Sequence, residues 1–227
     1  MLQPAAPAKQ EQMTALRLRP LNGFSGSLGQ RVYQTLRQSI LSLEYRPGEI
    51  LRKPEICEAL GVSRSPVREA LRMLVENRLV EKAPHKGYSV KQLDMQEIHE
   101  LYDVRMALET YVIERLAQSD YPEKDWKELY RTWQNLRKVA ITDPADFAKL
   151  DEEFHEKLAV WTGNRTLLQQ IRSIDERLYF IRVTDITTIE RLRKTCEQHL
   201  RILDCIREKN IECAREALQL NIEDGRK

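Results

Sequence analysis

Leu28, Val32, Leu36, Ile40 and Leu43 recur at helical spacing and predict a first helix over residues 28–43, ended by Tyr45-Arg46-Pro47-Gly48. A short helix is expected from Arg52 to Leu60, with Gly61 placed to stop it in a left-handed turn. Ser63 and Ser65 are good N-cap residues, and Pro66 suits a first helical turn. Val67, Ala70, Leu71 and Leu74 then form one apolar stripe, while Arg64, Arg68 and Arg72, four apart, form a basic stripe beside it. Residues 79–82 and 88–91 read as two short strands joined by Ala83-Pro84-His85-Lys86-Gly87, a hairpin with a basic tip. Asp94 caps a long helix running to about Ser119. Beyond it only helices are expected, over 122–140, 144–161, 164–183, 186–208 and 210–224.

The pattern is mostly α. Residues 1–27 read as a mobile Ala/Pro/Gln-rich arm. Residues 28–93 read as a winged helix-turn-helix of three helices and a small β-hairpin wing, and 94–227 as an all-α antiparallel six-helix bundle. A helix that begins with Ser and Arg after a short helix and a tight turn is built to enter the DNA major groove, where its first residues meet base edges and phosphates. The bland alternative for the same residues is a solvated Arg face.

Charge favours the first reading. The net charge of +2 hides a polarity: residues 1–92 hold 15 Lys and Arg against 8 Asp and Glu, and the remainder 22 against 27. The basic half carries the recognition helix. With 41% hydrophobic and 32% charged residues, the 227-residue chain suits two globular domains. It has no apolar run near the ~20 residues that span a bilayer and no secretory h-region, so the cytoplasm is expected. Cys57, Cys196, Cys205 and Cys213 form no Cys-x-x-Cys pair and are expected to be reduced thiols, mostly in helical core.

Several polar residues fall on apolar stripes. Arg105 shares the stripe of Ile98, Leu101, Leu108, Val112 and Leu116. Its guanidinium needs an anion, either Glu109 one turn on or a carboxylate ligand. Asp151 and His155 stand four apart on a helix whose core face is Phe147, Leu150, Phe154 and Leu158. His199 is in register with Leu192, Cys196, Leu203 and Ile206, and Asn221 continues the stripe of Ile211, Ala214 and Leu218. These side chains are either satisfied core residues or the N/O donors of a divalent transition metal held inside a bundle.

Leu36-Arg37, Arg46-Pro47-Gly48-Glu49-Ile50-Leu51, the 61–71 stretch, Leu79-Val80 and His85-Lys86-Gly87 together resemble the winged helix of the GntR family of bacterial transcription regulators, over residues 28–92. The resemblance implies base and phosphate contacts for Arg64 and Arg68, phosphate contacts for Ser63 and Ser65, and a minor-groove position for His85, Lys86 and Gly87. Val104-Arg105, Glu109, Asp151-Glu152-Glu153-Phe154-His155, Gly163-Asn164 and Glu197-Gln198-His199 resemble the C-terminal effector domain of the FadR-type branch, the FCD domain, over residues 94–224. In many such domains an Asp and three His hold a metal, with a small organic acid above it; others hold an acyl ligand and no metal. Asp151, His155 and His199 match three of those positions, and Asn221 stands where the fourth His is usual. An amide oxygen is a poorer donor, so weaker retention of a Zn-, Ni- or Mn-class ion is expected, with Cys196 able to substitute.

The expectation is a cytoplasmic, homodimeric bacterial transcription regulator that binds a short inverted repeat of double-stranded DNA and responds to a small carboxylate through Arg105. A metal-dependent hydrolase using Asp151, His155 and His199 is the contending class. It is disfavoured because the chain has no His-Glu-x-x-His arrangement and no assigned general base.

Overall fold

The computed structural model describes residues 18, 21–83, 87–138, 144–185 and 188–226. The chain divides into two compact units, Met1–Val90 and Lys91–Lys227.

The first unit holds α1 (Leu28–Leu41), β1 (Ile50–Leu51), α2 (Lys53–Leu60), α3 (Arg64–Glu76), β2 (Val80–Ala83) and β3 (Gly87–Val90). Ser27 and Gln30 close a capping box at the start of α1, so two otherwise unpaired backbone donors are satisfied reciprocally. Gly61 ends α2 at φ 63°, a left-handed conformation that favours Gly, and this turn sets α3 at its angle to α2. Val32, Leu36, Ile56, Val67, Leu71 and Leu74 are fully buried and knit the three helices together.

Two features depart from the sequence reading. The hairpin is part of a three-stranded antiparallel sheet in the order β1-β3-β2, with Ile50 opposite Ser89 and Leu51 opposite Tyr88. A strand of two residues is too short to show an alternating pattern. The end of the expected mobile arm carries structure: Leu21–Gly23 form a 3-10 turn, Leu21 O accepts from Arg31 Nε at 3.2 Å, and Leu18 and Leu21 pack on the core.

The second unit holds α4 (Met95–Ala117), α5 (Glu123–Leu136), α6 (Pro144–Trp161), α7 (Arg165–Asp185), α8 (Ile189–Arg207) and α9 (Ile211–Gly225). Asp94 caps α4, its side chain accepting from Glu97 N at 2.8 Å. α4 packs against α6, α7, α8 and α9, which accounts for buried residues on more than one of its faces. Trp133 from α5 is buried at the centre, edge-on to Phe147, Phe154 and His199. Among the described residues no helix is long and apolar enough to cross a membrane.

The expectation of four reduced cysteines is corrected. Cys205 and Cys213 form a disulfide with Cα atoms 5.6 Å apart, while Cys57 and Cys196 are free. Asn210 N donates back to Cys205 O, and Lys209 adopts φ 53°, so the tight α8–α9 turn brings two cysteines eight positions apart face to face. Spacing rules for redox and zinc motifs do not cover that arrangement. Alkylation of the denatured protein without reductant should label Cys57 and Cys196 alone, and all four after reduction, as read by mass spectrometry. Four labelled thiols in a freshly purified, unreduced sample would contradict the bond.

Candidate functional site

The chain presents two sites, one on each unit. On the first, Ser63 is the N-cap of α3 and Arg64 its first helical residue. The Ser63 side chain makes no capping bond, which leaves its hydroxyl available to an outside partner. Ser63, Arg64, Ser65 and Arg68 are all exposed, and Arg72 pairs loosely with Glu76 at 3.5 Å. Among the described residues, Arg64 and Arg68 enter no ion pair, so two cations stand free on the leading turns of a helix anchored by Val67, Ala70, Leu71 and Leu74. Gly87 opens β3 at φ 86° opposite Ala83. His85 and Lys86 lie outside the described residues.

The second site is inside the helical unit. Asp151 and His155 on α6 and His199 on α8 are buried, and each offers a donor atom within 4.8 Å of the others. His199 Nε2 lies 3.2 Å from Asp151 Oδ1, and His155 Nε2 lies 3.9 Å from the same oxygen, neither with hydrogen-bond geometry. The His199 ring is stacked on Phe154 at 3.8 Å between centroids, with Trp133 edge-on at 4.1 Å.

Arg105 is buried, with Nε on Glu109 Oε1 at 2.5 Å. Of the two anions expected for it, the one within the chain is present, yet Nη2 makes no hydrogen bond. Asn221 is buried, and its amide donates to Gln198 Oε1 at 3.3 Å. Cys196 is not among the converging donors.

Sequence reading missed Glu152, Asp175 and Arg182. Arg182 is buried, pairs with Asp175 through Nη2, and holds Nη1 3.6 Å from both Asp151 Oδ2 and Glu152 Oε1. The signal was available: Asp175 and Arg182 fall in register with Ile171, Ile174 and Leu178 on the buried face of α7, as Arg105 does on α4.

The electrostatics separate these groups. Burial alone would raise the Asp151 carboxyl, but His199, His155 and Arg182 hold it below the usual carboxylate range. Burial likewise opposes ionisation of Glu109, yet Arg105 and His155 bring it down to about 2. Glu152 is pushed up to about 8 by burial, against the pull of Arg182. Burial also takes His199 down to about 4, leaving a neutral imidazole with a lone pair to donate at neutral pH.

Eight buried polar atoms here are left without a hydrogen-bond partner: Arg105 Nη2, Glu152 Oε1, Asp175 Oδ2, two nitrogens of Arg182, His155 Nε2 and both ring nitrogens of His199; His155 Nδ1 lies against Glu109 Oε2. Each unmet group costs roughly 1–3 kcal/mol, and a domain has only about 5–15 kcal/mol of net stability. Ordered water, an ion or a ligand would meet those groups. One carboxylate and two imidazoles fit a divalent transition metal, and the guanidinium N–H groups without a partner fit an anion.

Residues 100–224 match the FCD domain, and residues 28–90 match the gntR family of bacterial regulatory proteins. The Nta operon transcriptional regulator of Aminobacter aminovorans is 33% identical over 77% of this chain and 81% of its own. The gluconate operon transcriptional repressor of Bacillus subtilis is 31% identical over 78% of this chain and 72% of its own. The crystal structure of a GntR transcriptional regulator from Rhodococcus sp. RHA1 superposes with a TM-score of 0.73 at 26% identity, covering 88% of this chain and 96% of that one. These relatives are transcription regulators, not enzymes.

Proposed function

The chain belongs to the GntR family of bacterial transcription regulators, with an N-terminal DNA-binding helix-turn-helix and a C-terminal FCD effector domain, and from that premise we propose that it binds an inverted-repeat operator in the cytoplasm as a homodimer and answers to a small carboxylate held beside a divalent metal. The convergence of Asp151, His155 and His199 within 4.8 Å carries the sensing half of this reading.

Asp151, His155 and His199 would hold a Zn-, Ni- or Mn-class ion, and Asn221 is turned to Gln198 by its amide. When bound, such an ion supplies positive charge and open coordination positions to which a carboxylate oxygen can attach. The chain's own part is to orient the ligand. Arg105 offers Nη2 from α4, and Arg182 offers Nε and Nη1 from α7, all buried and unmet. A carboxylate satisfying both would tie α4 to α7, and four residues separate α4 from the last strand of the DNA-binding unit. Ligand-dependent positions of α4 would then bias the DNA-bound state by whatever difference in affinity the ligand has for the two arrangements.

Thermal shift of the metal-loaded protein against small carboxylates tests this. Arg182→Met should abolish the carboxylate-dependent shift while leaving the metal-dependent one. A carboxylate shift that survives in both Arg182→Met and Arg105→Met would rule the pocket out.

The dimer is proposed through α4. Val104 and Tyr111 are each 51% exposed and, with Ala107 and half-buried Leu108, form an apolar stripe at helical spacing on the outer side of that helix. A second copy covering this stripe would bring two DNA-binding units into one molecule, as an inverted repeat of two half-sites requires. Val104→Asp combined with Tyr111→Asp in the full chain should give a monomer in analytical ultracentrifugation. A dimer of unchanged affinity would move the interface elsewhere.

A further inference from the structure

We infer that Glu109 is the positioning residue of the interior site: it fixes the proton of His155 on Nδ1, turns the Nε2 lone pair toward Asp151, and is itself held by Arg105. The inference rests on the metal reading above and concerns a residue that donates nothing to the ion.

The two histidines are held in different ways. His199 is gripped by packing, between the face of Phe154 and the edge of Trp133. His155 is gripped by charge. Glu109 Oε2 lies against His155 Nδ1, while the other carboxylate oxygen accepts from Arg105 Nε at 2.5 Å. His155 Nε2, on the far side of the ring, faces Asp151 Oδ1 at 3.9 Å. A neutral imidazole carries one proton, and the nitrogen that meets a carboxylate keeps it, so the other nitrogen is left as the donor.

Glu109 stands one helical turn from Arg105 on α4, and both are buried, so the carboxylate is enclosed with its cation and cannot relax into solvent. A carboxylate present only to neutralise Arg105 would need no approach to His155. The one seen here spends one oxygen on each neighbour.

The test uses the full chain labelled with 15N-histidine, stripped of metal by a chelator. The chain has four histidines, so ring signals are few, and His155 is assigned by its absence in His155→Ala. Long-range 15N–1H correlations should show His155 protonated on Nδ1 in the wild type and redistributed between tautomers in Glu109→Gln, with the His199 signals unmoved. Calorimetric titration with zinc chloride alone should show Glu109→Gln weakened by about 10- to 100-fold relative to wild type. Should Glu109→Gln fail to fold, Arg105→Met/Glu109→Gln leaves no stranded guanidinium and should show the same loss.

His155 protonated on Nε2 in the wild type, or zinc bound as tightly without the Glu109 carboxylate as with it, would overturn the positioning role and leave the metal site standing. A wild type that binds no zinc would overturn both.

Discussion

Arg64→Ala should weaken binding to the cognate operator by about 1–3 kcal/mol, with a smaller loss on unrelated DNA. Arg64 is the first helical residue of α3, exposed and without an ion-pair partner among the described residues, so its guanidinium would reach a groove without first breaking an ion pair within the chain. The apolar stripe of α3 is fully buried at Val67, Ala70, Leu71 and Leu74, so the substitution leaves the helix seated. Arg68, one turn further on, is proposed to meet phosphate. Arg68→Ala should therefore weaken all sequences alike and reduce the salt slope by about one unit. Lys86→Ala at the wing should behave like Arg68→Ala. Fluorescence anisotropy titrations at several salt concentrations separate the two patterns, and an unchanged operator affinity for Arg64→Ala would remove it from the readout.

His199→Ala should abolish metal-dependent stabilisation. A ligand present at 1,000 times its Kd stabilises a fold by about 4 kcal/mol, which makes this the largest shift available to a thermal melt of the full chain. Removing the ring also opens a gap between Phe154 and Trp133, so the informative quantity is the metal-induced change within each variant. DNA binding by the metal-free variant should match that of the metal-free wild type. A metal-induced shift of the same size in His199→Ala would return His199 to the status of a core histidine.

Much of this was legible in residue patterns. The recognition helix announced itself because capping serines, Gly61 and two stripes of opposite character coincide within a dozen positions. Asp151, His155 and His199 were found because an ionisable residue on an apolar stripe is costly unless something meets it. The same rule applies to Asp175 and Arg182 on α7, which went unread; there the polar residues alternate with the apolar ones and dilute the stripe. Spacing placed Glu109 beside Arg105 but could not show that its second oxygen reaches His155 on α6, because that contact depends on how α4 crosses α6. β1 and the Cys205–Cys213 bond were hidden because each is a tertiary pairing: two residues of β1 meet β3 from far along the chain, and the two cysteines meet only through the way α8 and α9 pack around their turn.

The interior of the helical unit is proposed as a metal-centred sensor. Elemental analysis of the purified full chain after exposure to zinc, nickel or manganese, followed by anomalous diffraction at the edge of the ion retained, tests it most directly. One ion per chain is expected, with its anomalous peak bounded by the Asp151 carboxylate and the His155 and His199 rings. Stoichiometric absence of metal, with those rings hydrogen-bonded only to water and neighbouring side chains, would contradict it.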